Sequence, residues 1–136
     1  MSIAIRYYSM TGNTKKLAEA ISEETGVNAE TVDVPLEEKV DMLFLGSAVY
    51  AAGVDESVKK FIRENKEKIG KIVNFSTAAL LPSTYKQVKK LADAEGIPMA
   101  DEEFHCRGAF SVMHKGRPNE KDLADAKVFV KKFVKD

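Results

Sequence analysis

Ser9-Met10-Thr11-Gly12-Asn13-Thr14 is the stretch whose reading decides the fold. It follows an apolar run, residues 3–8, and leads into a helix-forming stretch, residues 13–24. A strand, a tight polar loop and a helix start together make a cradle for an anion. Free backbone N–H groups at a helix start point at a ligand, and the helix dipole favours negative charge there. Ser9, Thr11, Asn13 and Thr14 can each add a side-chain donor, and Gly12 lets the backbone turn close to the ligand. A hydrogen bond to a charged group contributes roughly 1.5–3 kcal/mol, and the helix terminus roughly 0.3–1 kcal/mol. Several such donors hold a phosphate dianion without an arginine. The plainer reading is a helix cap with polar neighbours, since Ser, Thr and Asn all cap well. A cap needs one such residue, and here four stand within six positions directly after the first strand.

Outward from that loop, apolar runs and helical stretches alternate. The first helix carries Leu17, Ala18 and Ile21 at helical spacing and stops at Gly26. Residues 27–34 read as a second, more polar strand towards an edge, and residues 40–46 as a third, fully buried strand. A helix is expected over 55–68, with Val58, Phe61 and Ile62 inward, then a fourth strand over 71–76. Pro82 can open a helix over 82–95 that Gly96 closes. Residues 97–112 hold an irregular fifth strand. Asn119 caps a last helix whose buried stripe is Leu123, Ala126, Phe129, Val130, Phe133 and Val134.

Strands alternating with helices predict an α/β fold, a doubly wound parallel sheet covered on both faces. Five strands and right-handed crossovers suit the order 2-1-3-4-5, with a ligand site at the carboxyl ends of strands 1 and 3. The connection between strands 2 and 3, about residues 35–39, is too short for the dozen residues a parallel crossover usually needs. The second helix is therefore expected to be reduced to one turn or missing. One sheet face would then be thinly covered, letting Arg6, inside the first strand, reach solvent or a carboxylate.

The 136 residues suit a single domain, 1–136, with one core. Lys plus Arg and Asp plus Glu are each 21, so the formal charge is zero. That argues against nucleic acid or an anionic membrane as main partner. No apolar run is long enough to span a bilayer, and no basic, apolar leader opens the chain. One cysteine, Cys106, excludes an intramolecular disulfide and fits a reducing cytoplasm. A monomer is expected, since nothing demands more.

The residues now on the page resemble a short-chain flavodoxin over the whole chain. Ser9 to Thr14, followed by Ala18 and Ile21, is similar to that family's FMN-phosphate signature, with Arg6 standing where an apolar residue is usual. Asp41-Met42-Leu43-Phe44-Leu45-Gly46-Ser47-Ala48-Val49-Tyr50 resembles the third strand and the loop that flanks the flavin. Asn74-Phe75-Ser76-Thr77-Ala78-Ala79 resembles the fourth strand and second flavin loop, and Gly116-Arg117-Pro118-Asn119 the approach to the last helix.

The resemblance implies FMN bound non-covalently and used for one-electron transfer between a reductase donor and an acceptor enzyme. By position, Ser9, Met10, Thr11, Gly12, Asn13 and Thr14 would hold the phosphate. Ser47, Ala48, Val49, Tyr50, Ala51, Ala52 and Gly53 would flank the isoalloxazine ring on one side, and Ser76, Thr77, Ala78, Ala79 and Leu80 on the other. Tyr50 is the stacking candidate, because aromatic faces pack well on a flat ring; its plainer reading is a core or rim tyrosine. Ala51 departs from the glycine often found there, and the second loop offers Ala78, Ala79, Leu80 and Leu81 with no acid. Acidic neighbours disfavour an anionic reduced flavin, so this neutral chain is expected to have a less negative second reduction step than acidic relatives.

Glu102, Glu103, His105, Cys106 and His114 imitate a metal cluster, but their spacing matches no zinc pattern, and strand alternation sends neighbours to opposite faces. Cys106 reads as a small buried hydrophobe. Lys15 and Lys16 read as the exposed face of the first helix. The leading function is an electron carrier. An FMN-dependent quinone or small-molecule reductase on the same fold is the runner-up, which would make the chain an enzyme. A flavin-free regulatory module is a third reading.

Overall fold

The structure is a computed structural model that describes residues 1–49, 54–78, 83–108 and 116–134. Strands β1 (Ile3–Tyr7), β2 (Ala29–Thr31), β3 (Met42–Val49), β4 (Ile72–Ala78) and β5 (Phe104–Arg107) make one parallel sheet. Their order is β2-β1-β3-β4-β5, as the alternation of the sequence predicts. Helices α1 (Asn13–Thr25), α2 (Glu56–Asn65), α3 (Tyr85–Ala94) and α4 (Glu120–Lys131) cover its faces.

Period-two alternation along each strand divides the core. Ala4, Leu43, Leu45 and Ile72 pack with Val58 and Ile62 of α2 and Val88 of α3. Ile5, Tyr7, Met42, Phe44, Val73 and Phe75 pack with Leu17 and Ile21 of α1 and Phe129 and Val130 of α4. Phe44, Phe75, Ile5 and Leu17 are fully buried, and burying such a side chain stabilises by about 1.5–3 kcal/mol. Gly46 faces Phe75 across the β3–β4 register, and a Cβ there would overlap the Phe75 ring.

Residues 32–39 carry turns and bends but no helix. Without a helix, that segment must satisfy its backbone polar groups in another way. Arg6 Nε donates to the Val34 carbonyl (2.8 Å), Nη2 to that of Pro35 (3.3 Å), and Nη1 to that of Ile5 (3.0 Å). Asn65 Oδ1 accepts from the Leu36 N–H (3.0 Å), and Lys68 Nζ donates to the Leu36 carbonyl (2.9 Å). Arg6 is buried, and its guanidinium meets Glu30 at 3.5 Å, so it reaches a carboxylate as expected. Burial lowers its pKa, and Glu30 and then Glu37 oppose that.

Several boundaries differ from the sequence expectation. β2 is shorter because the chain turns at once, with the Val34 N–H on the Thr31 carbonyl (3.1 Å). α2 ends at Asn65, whose Nδ2 donates to the Phe61 carbonyl (3.0 Å), and Lys66–Lys68 tighten into a 3-10 turn. α3 begins at Tyr85, where the Ser83 hydroxyl takes the Tyr85 N–H (2.9 Å); Pro82 lies outside the described residues.

Candidate functional site

β1 pairs with β2 on one side and β3 on the other, so the chain's crossovers diverge at β1. In such sheets a crevice opens at the carboxyl ends of the strands where they part. α1 starts at this rim, after Ser9, Met10, Thr11 and Gly12. Gly12 is the N-cap, at φ 91°, and as a glycine it has no side chain with which to cap the helix. A left-handed φ costs glycine nothing, which is why the turn can be this tight. The Ser9 hydroxyl accepts the Gly12 N–H (3.0 Å), pinning the loop to itself. The first turn holds no acid, while Met10 and Thr11 are exposed.

Asn13 and Thr14 are buried. Thr14 Oγ1 donates to the Ser47 carbonyl (3.3 Å) and sits 2.9 Å from Thr77 Oγ1, tying α1 to β3 and β4. Gly108, just past β5, closes the same corner. A Cβ on it would stand 2.9 Å from Asn13 Nδ2 and 3.0 Å from Thr77 Cβ. The sequence signal for Gly108 is a glycine inside the strand expected over 97–112, which often marks close backbone approach. Lys15 and Lys16 are exposed.

The strand ends meant to flank the ring are adjacent: Ser47 pairs with Ser76, Ala48 with Thr77, and Val49 with Ala78. Ser47, Ala48, Ser76, Thr77 and Ala78 are buried. The Ser47 and Ser76 hydroxyls turn to Thr84 at the start of α3, at 3.0 and 3.3 Å. These two side chains hold the scaffold, and both residues are fully buried. Tyr50, Ala51, Ala52, Gly53, Ala79 and Leu80 lie outside the described residues. Asp55 caps α2, accepting from the Ser57 hydroxyl (2.6 Å) and N–H (2.9 Å). Those bonds, with one from Tyr8, hold its carboxyl below the usual range.

The acidic and thiol residues before α4 take separate partners. Glu103 accepts from Ser83 (2.6 Å) and Asn74 (3.3 Å). Burial, then Asp122, pushes the Cys106 thiol up to about 12, so it stays un-ionised. Among the described residues no three His, Cys, Asp or Glu side chains converge on a metal position, and no helix is long and apolar enough to cross a membrane. A cleft of about 470 Å³ runs beside β5 and the start of α4. Of its charged groups, Arg117 pairs with Asp122 (2.7 Å) and Lys121 with Asp125 (2.9 Å).

A doubly wound sheet with an open helix start at its switch point defines the class of flavodoxin-like α/β proteins. The match to known proteins is more specific. The flavodoxin domain family model matches residues 4–108, and the chain belongs to the flavodoxin family. An uncharacterized protein of Methanocaldococcus jannaschii is 28% identical over 138 residues, covering 91% of each chain. The solved structure of a flavodoxin from the domain Archaea superposes with a TM-score of 0.75 at 20% identity, covering 94% of this chain and 92% of that one. Oxidised flavodoxin 1 of Bacillus cereus gives 0.76 at 18%, covering 99% and 98%. These structural likenesses establish the fold.

Family membership implies a flavin cofactor. The described residues fit the phosphate end of one: a helix start whose N-cap is a glycine at φ 91°, with no acid in its first turn and the exposed Thr11 just before it.

Proposed function

We propose that this chain binds FMN non-covalently and passes electrons singly between a reductase and an acceptor enzyme. One observation carries the reading: α1 begins with a glycine-made turn directly after β1, at the carboxyl ends of the adjacent strands β1 and β3. Backbone N–H groups of Thr11 and of residues 13–15, with the Ser9, Thr11 and Asn13 side chains, would hold the phosphate. Thr14, with its hydroxyl bonded to Ser47 and Thr77, would set the helix in place. Residues 47–53 and 76–80 would flank the ring, with Tyr50 stacking on one face. When bound, FMN supplies a centre that accepts and releases one electron at a time.

The test is a titration of purified protein with FMN. Quenched flavin fluorescence and a yellow complex that does not wash out are expected. A colourless protein that leaves FMN fluorescence untouched would falsify the reading. Rapid turnover of NAD(P)H with a quinone by the loaded protein alone would shift the assignment to a reductase.

A further inference from the structure

A buried network of hydroxyls and amides joins the ends of β3 and β4 to α3, and Thr84 is its hub. Thr84 has no exposed surface. Its Oγ1 accepts from Ser47 Oγ (3.0 Å) and Asn74 Nδ2 (3.1 Å) and lies 3.4 Å from Asn74 Oδ1. Its N–H donates to Ser76 Oγ (3.3 Å). Ser47 and Ser76 are register partners, so one residue grips two neighbouring strands near their last residues. Glu103 anchors the network from the β5 side. Its Oε1 takes the Ser83 hydroxyl (2.6 Å) and Asn74 Nδ2 (3.3 Å), and the charge fixes which way the Asn74 amide faces.

Such a network is a costly way to fill a core. Buried hydroxyls and amides lose water and must be fully bonded to break even, and apolar groups of the same shape do as well or better. Farther from the rim the same sheet face is apolar, through Leu43, Leu45, Ile72, Val88 and Ala92. The polar residues begin at Asn74, beside Leu45, and continue through Ser47 and Ser76 towards the strand ends. What a directional network adds over apolar packing is a fixed backbone position.

We infer that Thr84 is a positioning residue for the flavin ring, acting through Ser47 and Ser76, with Glu103 holding the network from behind. This rests on the FMN reading. Thr84 has no exposed surface with which to meet the ring. It sets the strand-end backbone of residues 47–49 and 76–78 against which the ring is to lie.

The experiment compares Thr84→Val, which keeps the shape and removes the hydroxyl, with Thr84→Ser, which restores it. Affinities for FMN and for riboflavin, which lacks the phosphate, are read by fluorescence quenching. Amide exchange at Thr84 and Tyr85 is read alongside. Thr84→Val is expected to weaken both flavins by the same factor, about tenfold, with faster exchange at residue 84. Thr84→Ser is expected to stay within about threefold of the parent. Ser47→Ala, which removes one bond of the hub, is the milder variant should Thr84→Val not fold; a loss of about threefold for both flavins is expected. Parental affinity in Thr84→Val, or in Ser47→Ala in its place, overturns the inference. A loss confined to FMN overturns it too, because the effect would then lie at the phosphate. A parent protein that quenches neither flavin overturns the FMN reading itself, and this inference with it.

Discussion

α1 and α4 lie side by side on one face of the sheet, yet their starts are built in opposite ways. α4 is closed. Asn119 Oδ1 accepts the Asp122 N–H (3.0 Å), and Asp122 Oδ2 accepts the Asn119 N–H (2.8 Å). Arg117 then forks onto Asp122, Nε at 2.7 Å and Nη2 at 2.8 Å. α1 has a glycine where α4 has asparagine, and no acid in its first turn. A helix start that satisfies its own N–H groups has nothing to offer an anion. One left open does, and the chain leaves open the one at the switch point.

Closing α1 is the strongest way to break this contrast. Gly12→Asp places a carboxylate over the first turn, and aspartate tolerates positive φ better than most residues. FMN affinity is expected to fall at least about 100-fold, about 2.7 kcal/mol, with riboflavin affinity nearly kept. Equal losses for the two flavins would show that the loop does not hold the phosphate. Opening α4 is the converse. Asp122→Ala strands Arg117 and the Asn119 N–H and is expected to cost about 2 kcal/mol of stability in urea unfolding, with FMN affinity within about twofold. Thr11→Ala, a smaller cut at the open start, should weaken FMN about tenfold, about 1.4 kcal/mol, and leave the unfolding midpoint unchanged.

The smallest effect is the acid limb of stability. The Arg117 hydrogen bonds, and then the Asn119 N–H, hold Asp122 below its ordinary 3.8. A carboxylate with a lowered folded pKa contributes stability that is full above the unfolded value and fades as pH falls through the folded one. Asp122→Asn should therefore lose less stability than the parent on acidification from about pH 5 to about pH 2.5. Parallel stability–pH curves would contradict that. The acid sensitivity that remains in Asp122→Asn comes in part from Asp41 and Asp55, whose carboxyls are also lowered.

The same contrast explains what the sequence made legible. Alternating apolar periods and the loop from Ser9 to Thr14 specify strand order and switch point, because those signals are local. The direction of a hydroxyl is not local. Ser47 and Ser76 read as ring-flanking positions, but their side chains point to Thr84, a partner 37 and 8 residues away. Asn74 and Glu103 carry no pattern that announces a shared network. Gly46 reads as the end of a strand, yet β3 runs on to Val49 and the glycine makes room for Phe75. Asn119 was readable as a cap; its exchange with Asp122 depends on an i,i+3 pair, which a capping-box reading can find.

The crossover without a helix bears on the order of folding. Arg6 to Val34 spans 28 residues, Asn65 to Leu36 spans 29, and Lys68 to Leu36 spans 32. Each bond closes a long loop, and loop closure costs entropy before any contact rewards it. Residues 32–39 can dock only after β1 and the end of α2 stand in place. The hypothesis is that Asn65→Ala speeds unfolding and leaves the refolding rate unchanged; slowed refolding would place this edge in the folding nucleus instead.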